Sequence, residues 1–324
     1  MTNANNIKDD ATSGAEAQSV FRKFQHTLPF RLLVRGFLTA TKYLPVRLLR
    51  AVGRLFVVIF IMSNLDNYRA IINNLKKITP GLSALRYSFM AYEVFRNYSY
   101  YLIDLYHLSH GPERLDSYRF EFRDEGNVDK VFSSGKGVVL LATHLGNWEL
   151  GSLKLPLKDR KLHVVFSPDS SSLLESQRNF LRVVEGVQEV PLRQGGFSSL
   201  RLLRVLQEKG IVAMQGDRLT FDRGTKVKFF GHDALFPKGP IKLALASESV
   251  ILPVFIPMIG YKSYAIIVEE PIVMERCESA EDELKTNLHK IIRILEKYIS
   301  AYPTQWFTFM PFWEEDKKEF QEKS

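Results

Sequence analysis

The sequence predicts an α/β fold: a mostly parallel central sheet flanked by helices, with N-terminal amphipathic helices ahead of it. Two observations carry this. Beyond Gly135, short apolar runs alternate with longer segments of helical spacing, the pattern of strands joined by crossover helices. Between residues 28 and 110 the spacing is instead helical, broken near Pro45 and again at Pro80-Gly81. Composition agrees. Of 324 residues, 45% are apolar and 25% charged, which is ordinary for a globular chain and excludes disorder over most of its length.

The elements follow in order. Residues 137–142 form an apolar run after a turn, hence a buried strand, and 147–155 read as a helix. Residues 162–166 are the next strand, 173–184 a helix, 188–192 a short strand, and 197–209 a helix by its leucines at 200, 203 and 206. A strand over 211–214 ends at Gly216-Asp217. A helix follows over 240–247 with proline in its first turn, then strands over 251–256 and 264–268 and a long helix over 281–301. The expected organisation is a mobile tail over 1–19, which is polar and shows no signal-peptide pattern, a helical membrane-associating region over 20–110, an α/β domain over 111–313, and a charged, solvated tail over 314–324.

Charge is unevenly spread. Lys and Arg total 44 against 36 Asp and Glu, a surplus of +8 that suggests an anionic partner. Residues 20–62 hold eight basic residues (Arg22, Lys23, Arg31, Arg35, Lys42, Arg47, Arg50, Arg54) and no acidic one, interleaved with large aliphatic side chains. Arg31 and Arg35, like Arg50 and Arg54, are four apart and share a helical face. Residues 28–62 therefore read as basic amphipathic helices lying on an anionic membrane surface, an attachment that salt should weaken. Nucleic acid fits less well, since the basic residues accompany an aliphatic face rather than stacking aromatics. The longest uncharged run of this N-terminal region, 55–65, has 11 residues. A full span needs ~20, so the competing readings are an ordinary surface helix packed on the core and a marginal, tilted span over 44–62. Tyrosines 87, 92, 98, 100, 101 and 106 suit a boundary between water and an apolar phase, or simply a helical core.

The chemistry-bearing candidates are few. Cys277 is the only cysteine, so intramolecular disulfides and cysteine metal clusters are excluded, and its context is not that of a nucleophile. His107 and His110 lie three apart without a carboxylate cluster and read as boundary residues rather than metal ligands. One stretch stands out: Thr143-His144-Leu145-Gly146-Asn147-Trp148-Glu149, which follows a buried strand and opens a helix. Ligands of open α/β sheets bind at that carboxyl end. On a continuous helix His144 and Glu149 would sit about 140° apart. They meet only if His144 is on the loop and Glu149 in the first turn, with Asn147 as N-cap and Gly146 permitting the tight bend. A carboxylate beside a histidine fixes its tautomer and raises its basicity, as a general base requires. The structural alternative is a capping histidine with a glutamate that compensates the helix dipole.

Asp217 follows another core strand and should reach the same crevice, so His144 is expected between Glu149 and Asp217, with spacing alone leaving its partner undecided. Arg218, Arg223, Lys226, Lys228 and Lys238 concentrate positive charge nearby, suiting phosphate recognition, with a solvated hairpin face as the alternative for the lysines.

At these residues the sequence resembles the bacterial lauroyl/myristoyl lipid A acyltransferase family, which includes the phosphatidylinositol mannoside acyltransferases and belongs to the glycerolipid acyltransferase superfamily with its His-x4-Asp/Glu motif. The matching pieces are the block from His144 to Glu149, Gly216-Asp217-Arg218, residues 227–231 with Ala234 and 237–239, and the aromatic run 306–313, in order over roughly residues 60–313. The resemblance implies transfer of an acyl chain from a thioester of acyl carrier protein or CoA to a hydroxyl of a membrane glycolipid, at the cytoplasmic face of the bacterial inner membrane. It implies His144 as general base, with Glu149 as the motif carboxylate and Asp217 as a second acidic residue. Asn147, Trp148, Arg178, Arg193, Arg218 and Lys228 would bind substrate. No cofactor, no metal and no nucleic acid are implied. Many members begin with a clear span, whereas here that segment carries Arg47, Arg50 and Arg54. A hydroxyl attacking a thioester needs a base but no covalent enzyme intermediate, which accounts for the missing nucleophile. The competing readings are a lysophospholipid acyltransferase, a thioesterase-like hydrolase using the same base on water, and a non-catalytic lipid-binding relative. The last predicts a disrupted His-x4-Glu, which this sequence does not have.

Overall fold

The computed structural model describes residues 36, 39–155, 160–166, 187–191, 197–219 and 224–322. The 1–19 tail, the arginines at 31 and 35, the 173–184 helix, Arg178 and Arg193 lie outside the described residues.

Five parallel strands make the centre of the sheet: β2 (Val138–Ala142), β3 (Leu162–Phe166), β4 (Gln188–Pro191), β5 (Ile211–Gln215) and β8 (Val250–Phe255), in the spatial order β8-β2-β5-β3-β4. Beyond β8, β10 (Ser263–Val268) runs antiparallel to it, and β1 (Arg119–Arg123) pairs with β10 at the edge. The short β9 (Met258–Gly260) also pairs with β10. The apolar runs become central strands because both faces are covered. Alternation along β2 shows it. Val138 and Leu140 join one hydrophobic cluster, Val139 and Leu141 the other. β1 was not anticipated, because its Arg-Phe-Glu-Phe-Arg sequence is that of an exposed edge strand.

The first cluster is roofed by α1 (Val46–Ser63), α2 (Leu65–Ile78) and α3 (Ala84–Leu108). Val57, Ile71, Leu75, Tyr87 and Val94 of these helices pack in one core with Val138, Leu140, Ile211 and Leu252 of the sheet. The breaks fall where prolines were read. Pro45 immediately precedes α1, and Pro80-Gly81 separates α2 from α3, whose Ser83 cap accepts the Arg86 amide at 3.3 Å. Between α1 and α2 the axis bends by 98°, and no single described helix is long and apolar enough to cross a membrane.

The second face is covered by α6 (Phe197–Gln207), α7 (Gly239–Ser247) and α8 (Ala280–Ala301), with Leu202, Ile241, Leu284 and Ile291 against Val139, Leu141, Val212 and Ile251. Two smaller helices, α4 (Gly126–Ser133) and α5 (Trp148–Lys154), flank the strand ends. A separate hairpin of β6 (Gly224–Phe229) and β7 (His232–Pro237) turns at Phe230-Gly231, both with positive φ, as a two-residue hairpin loop demands. The 314–324 tail is not simply solvated. Residues Glu314–Glu322 form α9, and Lys77 of α2 holds Glu315 and Asp316 at 2.6 Å each.

Arg47 and Arg54 stay on the exposed surface of α1, and the expected basic face is broken at Arg50. Arg50 is buried, bonding Asp104 of α3 at 2.7 Å, and Arg54 Nε donates to the Tyr100 hydroxyl at 2.8 Å. Arg47 lies over the Tyr261 ring. Beside them, α1 and Leu44, two residues ahead of it, expose an aliphatic stripe of Leu44, Leu48, Val52, Leu55, Ile59 and Met62, spaced three and four apart. Arg50 turns inward because Asp104, fully enclosed, also takes the hydroxyls of Tyr118 and Tyr264 and needs a counter-charge.

Replacing Arg50 by Met should cost about 3–5 kcal/mol in chemical denaturation, because it strands a buried carboxylate. Adding Asp104→Asn should recover part of that loss, since a neutral amide needs no counter-charge. A double variant no more stable than Arg50→Met would contradict this account.

Candidate active site

His144 stands two residues past β2, and Asp217 two residues past β5. These strands are parallel neighbours, so their carboxyl ends lie side by side, and the Gly216 amide continues the ladder to the Ala142 carbonyl at 2.9 Å. Asp217 is completely buried and grips His144 twice. Its Oδ1 meets Nδ1 at 2.8 Å, and its Oδ2 accepts the His144 backbone N–H at 3.0 Å. A third donor comes from the far end of the chain: the Trp306 indole N–H reaches Oδ2 at 2.9 Å.

Burial by itself would raise the Asp217 pKa. The His144 charge and hydrogen bond, the Arg218 charge and the Trp306 bond override it and hold the carboxyl well below the usual carboxylate range. An ionised Asp217 places the imidazole proton on Nδ1, so the proton-accepting role falls to Nε2. The His144 side chain retains 15% exposure.

The loop after His144 is shaped by Gly146. Its φ is +67°, and a β-carbon there would overlap the Ile256 carbonyl. Asn147 then bonds that same carbonyl through its backbone N–H at 2.8 Å, while its side-chain oxygen accepts the Leu150 amide at 3.3 Å, capping α5. This corrects its expected contact with substrate. Asn147 is fully enclosed, and its amide nitrogen adjoins the Tyr264 hydroxyl without closing a hydrogen bond. Trp148 stands edge-on to the His144 ring at 5.1 Å between centroids and stacks on Tyr101 at 4.8 Å. Glu149 is buried in the first turn of α5, as the spacing required, but the carboxylate clamped on His144 Nδ1 is that of Asp217.

The remaining candidates divide. Arg218 is at the crevice, its guanidinium donating to the Phe307 carbonyl. Lys228, expected at a phosphate, sits instead on the solvated face of the hairpin, where it and Lys226 pair with Asp233 across the strands at 2.9 and 3.0 Å. Alternation along β6 turns Lys228 to solvent while its neighbour Phe229 is buried against Trp306. The segment around Trp306 was quoted for its aromatic residues, yet nothing local in sequence assigned Trp306 to Asp217, 89 positions away. Among the described residues no group of three or more His, Cys, Asp or Glu is placed to hold a metal.

Residues 19–315 match the model of a family described as bacterial lipid A biosynthesis acyltransferase. The chain belongs to this family. Among curated members, a phosphatidylinositol mannoside acyltransferase of Mycobacterium tuberculosis is 24% identical over 194 residues, 60% of either chain. The protein of that name from Mycolicibacterium smegmatis is 23% identical over 196 residues, covering 58% of this chain and 61% of its own. The chain thus matches about 60% of the length of these curated relatives. A crystal structure of a 1-acyl-sn-glycerophosphate acyltransferase from Thermotoga maritima aligns with 74% of this chain and 97% of its own at 13% identity and a TM-score of 0.34.

Within this lipid A acyltransferase family member, Asp217→Asn should keep the shape of the crevice but lose the charge and favour the wrong imidazole tautomer. Turnover should fall about 10³–10⁴-fold. The folded pKa of Asp217 is depressed, so its charge stabilises the fold above the unfolded carboxylate pKa of ~3.9, and that contribution disappears as pH falls through the folded value. The melting-temperature gap between wild type and variant should therefore be widest near neutrality and shrink below about pH 4.

Proposed function

We propose that this protein moves a fatty acyl chain from an acyl thioester, carried by acyl carrier protein or CoA, to a hydroxyl of a membrane glycolipid. His144 Nε2 takes the acceptor's hydroxyl proton as the oxygen attacks the thioester carbonyl carbon. The C–O bond forms, the tetrahedral intermediate collapses, the C–S bond breaks, and the proton passes from the imidazolium to the departing thiolate. Asp217 stabilises the imidazolium between these steps. The observation that carries this reading is the Nδ1 clamp of His144 on the buried Asp217 at the carboxyl ends of β2 and β5. Trp148 borders His144, Arg218 adjoins Asp217, and both are assigned to substrate. Family membership supports the acyl donor class, and the names of the mycobacterial relatives support a glycolipid acceptor.

The same reading places the protein at the cytoplasmic face of a bacterial inner membrane, where acyl thioesters and nascent glycolipids meet. The exposed aliphatic stripe of α1 supports attachment through apolar contact, with Arg47, Arg50 and Arg54 engaged by the protein itself. Burial at ~25 cal/mol per Å² makes such a stripe a substantial anchor.

Two experiments test this. With palmitoyl-CoA and a phosphatidylinositol mannoside in vesicles, His144→Ala should lower acyl transfer by about 10²–10⁴-fold. Activity within threefold of wild type would refute the base assignment, and thiol release without acceptor at the full rate would favour a hydrolase. In flotation, wild type should bind neutral phosphatidylcholine vesicles and remain bound at about 0.5 M salt, where charge attraction is largely screened. The pair Leu55→Asp and Ile59→Asp should release it. Binding only to anionic vesicles at low salt would restore the electrostatic reading.

A further inference from the structure

The C-terminal segment from Thr304 to Phe312 has no regular structure over most of its length, yet it is held from every side. Asn97 of α3 donates to the Thr304 carbonyl and hydroxyl at 3.0 and 3.2 Å. The Gln305 side chain closes a ring on the Met258 backbone, accepting its N–H at 2.7 Å and donating to its carbonyl at 2.9 Å. The backbone of Gln305 accepts the Gly146 amide, and the Phe307 amide donates to the His144 carbonyl at 2.8 Å. Asn74 of α2, buried, donates to the carbonyls of Thr308 and Met310 and accepts the Phe312 amide. Between these tethers the Trp306 ring is wedged edge-on against Phe312 and Phe229. Its N–H has one destination, Asp217 Oδ2.

We propose that Trp306 is a positioning residue for catalysis, setting both the orientation and the effective charge of Asp217, and that the tethered segment exists to aim its indole N–H. This inference rests on the reading of His144 as the base. Asp217 Oδ1 serves the imidazole, while Oδ2 is shared between the His144 backbone and Trp306. The indole bond resists rotation of the carboxylate away from Nδ1 and withdraws part of its negative charge. Without the indole donor, more of that charge falls on the imidazole, and the imidazolium is over-stabilised. His144 then holds its proton to higher pH, and fewer molecules carry a competent base at neutrality.

The test removes the N–H while keeping the ring. Trp306→Phe is the simple variant. Because it also opens space beside Phe229 and Phe312, the decisive variant carries 3-benzothienylalanine at position 306, a tryptophan isostere with sulfur in place of N–H. Two readouts are taken on the full chain: the titration of the His144 imidazole by nitrogen-15 NMR, assigned with His144→Gln, and the pH profile of kcat for palmitoyl-CoA with a phosphatidylinositol mannoside acceptor. In the isostere the His144 titration and the acid limb of kcat should both move up by about 0.5–1 pH unit. kcat at neutrality should fall several-fold while KM for the thioester stays within about twofold. A His144 titration unchanged in the isostere overturns the proposal, whatever the rate does. The NMR readout does not depend on turnover. If His144→Ala transfers acyl chains at the wild-type rate, the reading of the reaction fails by itself, and the effect of Trp306 on the imidazole is still decided.

Discussion

A carboxylate with no exposure to water is the constraint around which this molecule is arranged. Asp217 remains ionised only because donors converge on it, and those donors come from segments far apart in the chain: His144 by 73 positions and Trp306 by 89. The loop after β2, the turn after β5 and the segment after α8 must therefore meet at one point. Several local oddities follow from that requirement. Gly146 takes a left-handed conformation so that its loop can lie against Ile256. Trp306 pairs with Leu145 in an isolated antiparallel bridge, and the Phe307 carbonyl receives Arg218 from the residue after the carboxylate itself.

A second buried charge, Asp104, does for the helices what Asp217 does for the strand ends. Arg50 of α1, Tyr118 ahead of β1 and Tyr264 of β10 all point at it. An α1 tied to the core in this way, and sharing the Val57–Ile71–Val138 cluster with the sheet, is part of the folded unit rather than a detachable leash. The consequence for a lipid surface is geometric. Whatever plane the aliphatic stripe of α1 defines is fixed relative to the β8–β10 pair, and through the Tyr264–Asn147 neighbourhood relative to the loop that carries His144.

How much of this the sequence disclosed depends on whether the deciding partner was local. The central strands were legible because burial on both faces demands unbroken apolar runs, and β1 was not, because an edge strand alternates charged and aromatic residues. His144 and Asp217 were legible as residues at strand ends, where side chains of parallel neighbours must converge. The choice between Glu149 and Asp217 as the partner of His144 Nδ1 was not, since spacing brought both carboxylates toward the same crevice. Helical spacing correctly grouped Arg50 with Arg54. It says which residues share a face, not which of them is buried, and the side chain that draws Arg50 inward, Asp104, lies 54 positions away. Asn147 was read as both a cap and a substrate contact, and complete burial leaves only the first.

The chemistry of the tethers separates two tasks that a histidine site must keep apart. Asn74, Asn97 and Gln305, which fix the segment bearing Trp306, are neutral amides whose hydrogen bonds do not change between acid and base. On the proposed reading the charge that changes is at His144, which would gain and lose a proton in every cycle beside Asp217. Had the segment been held by ion pairs with titrating partners, each change of pH would have moved the indole and so shifted the charge felt by the imidazole. With amide tethers the frame stays still while the charge moves. The same division explains the ion pairs of Lys77 with Glu315 and Asp316, which lie past the last amide tether and secure α9 without touching the geometry at Asp217.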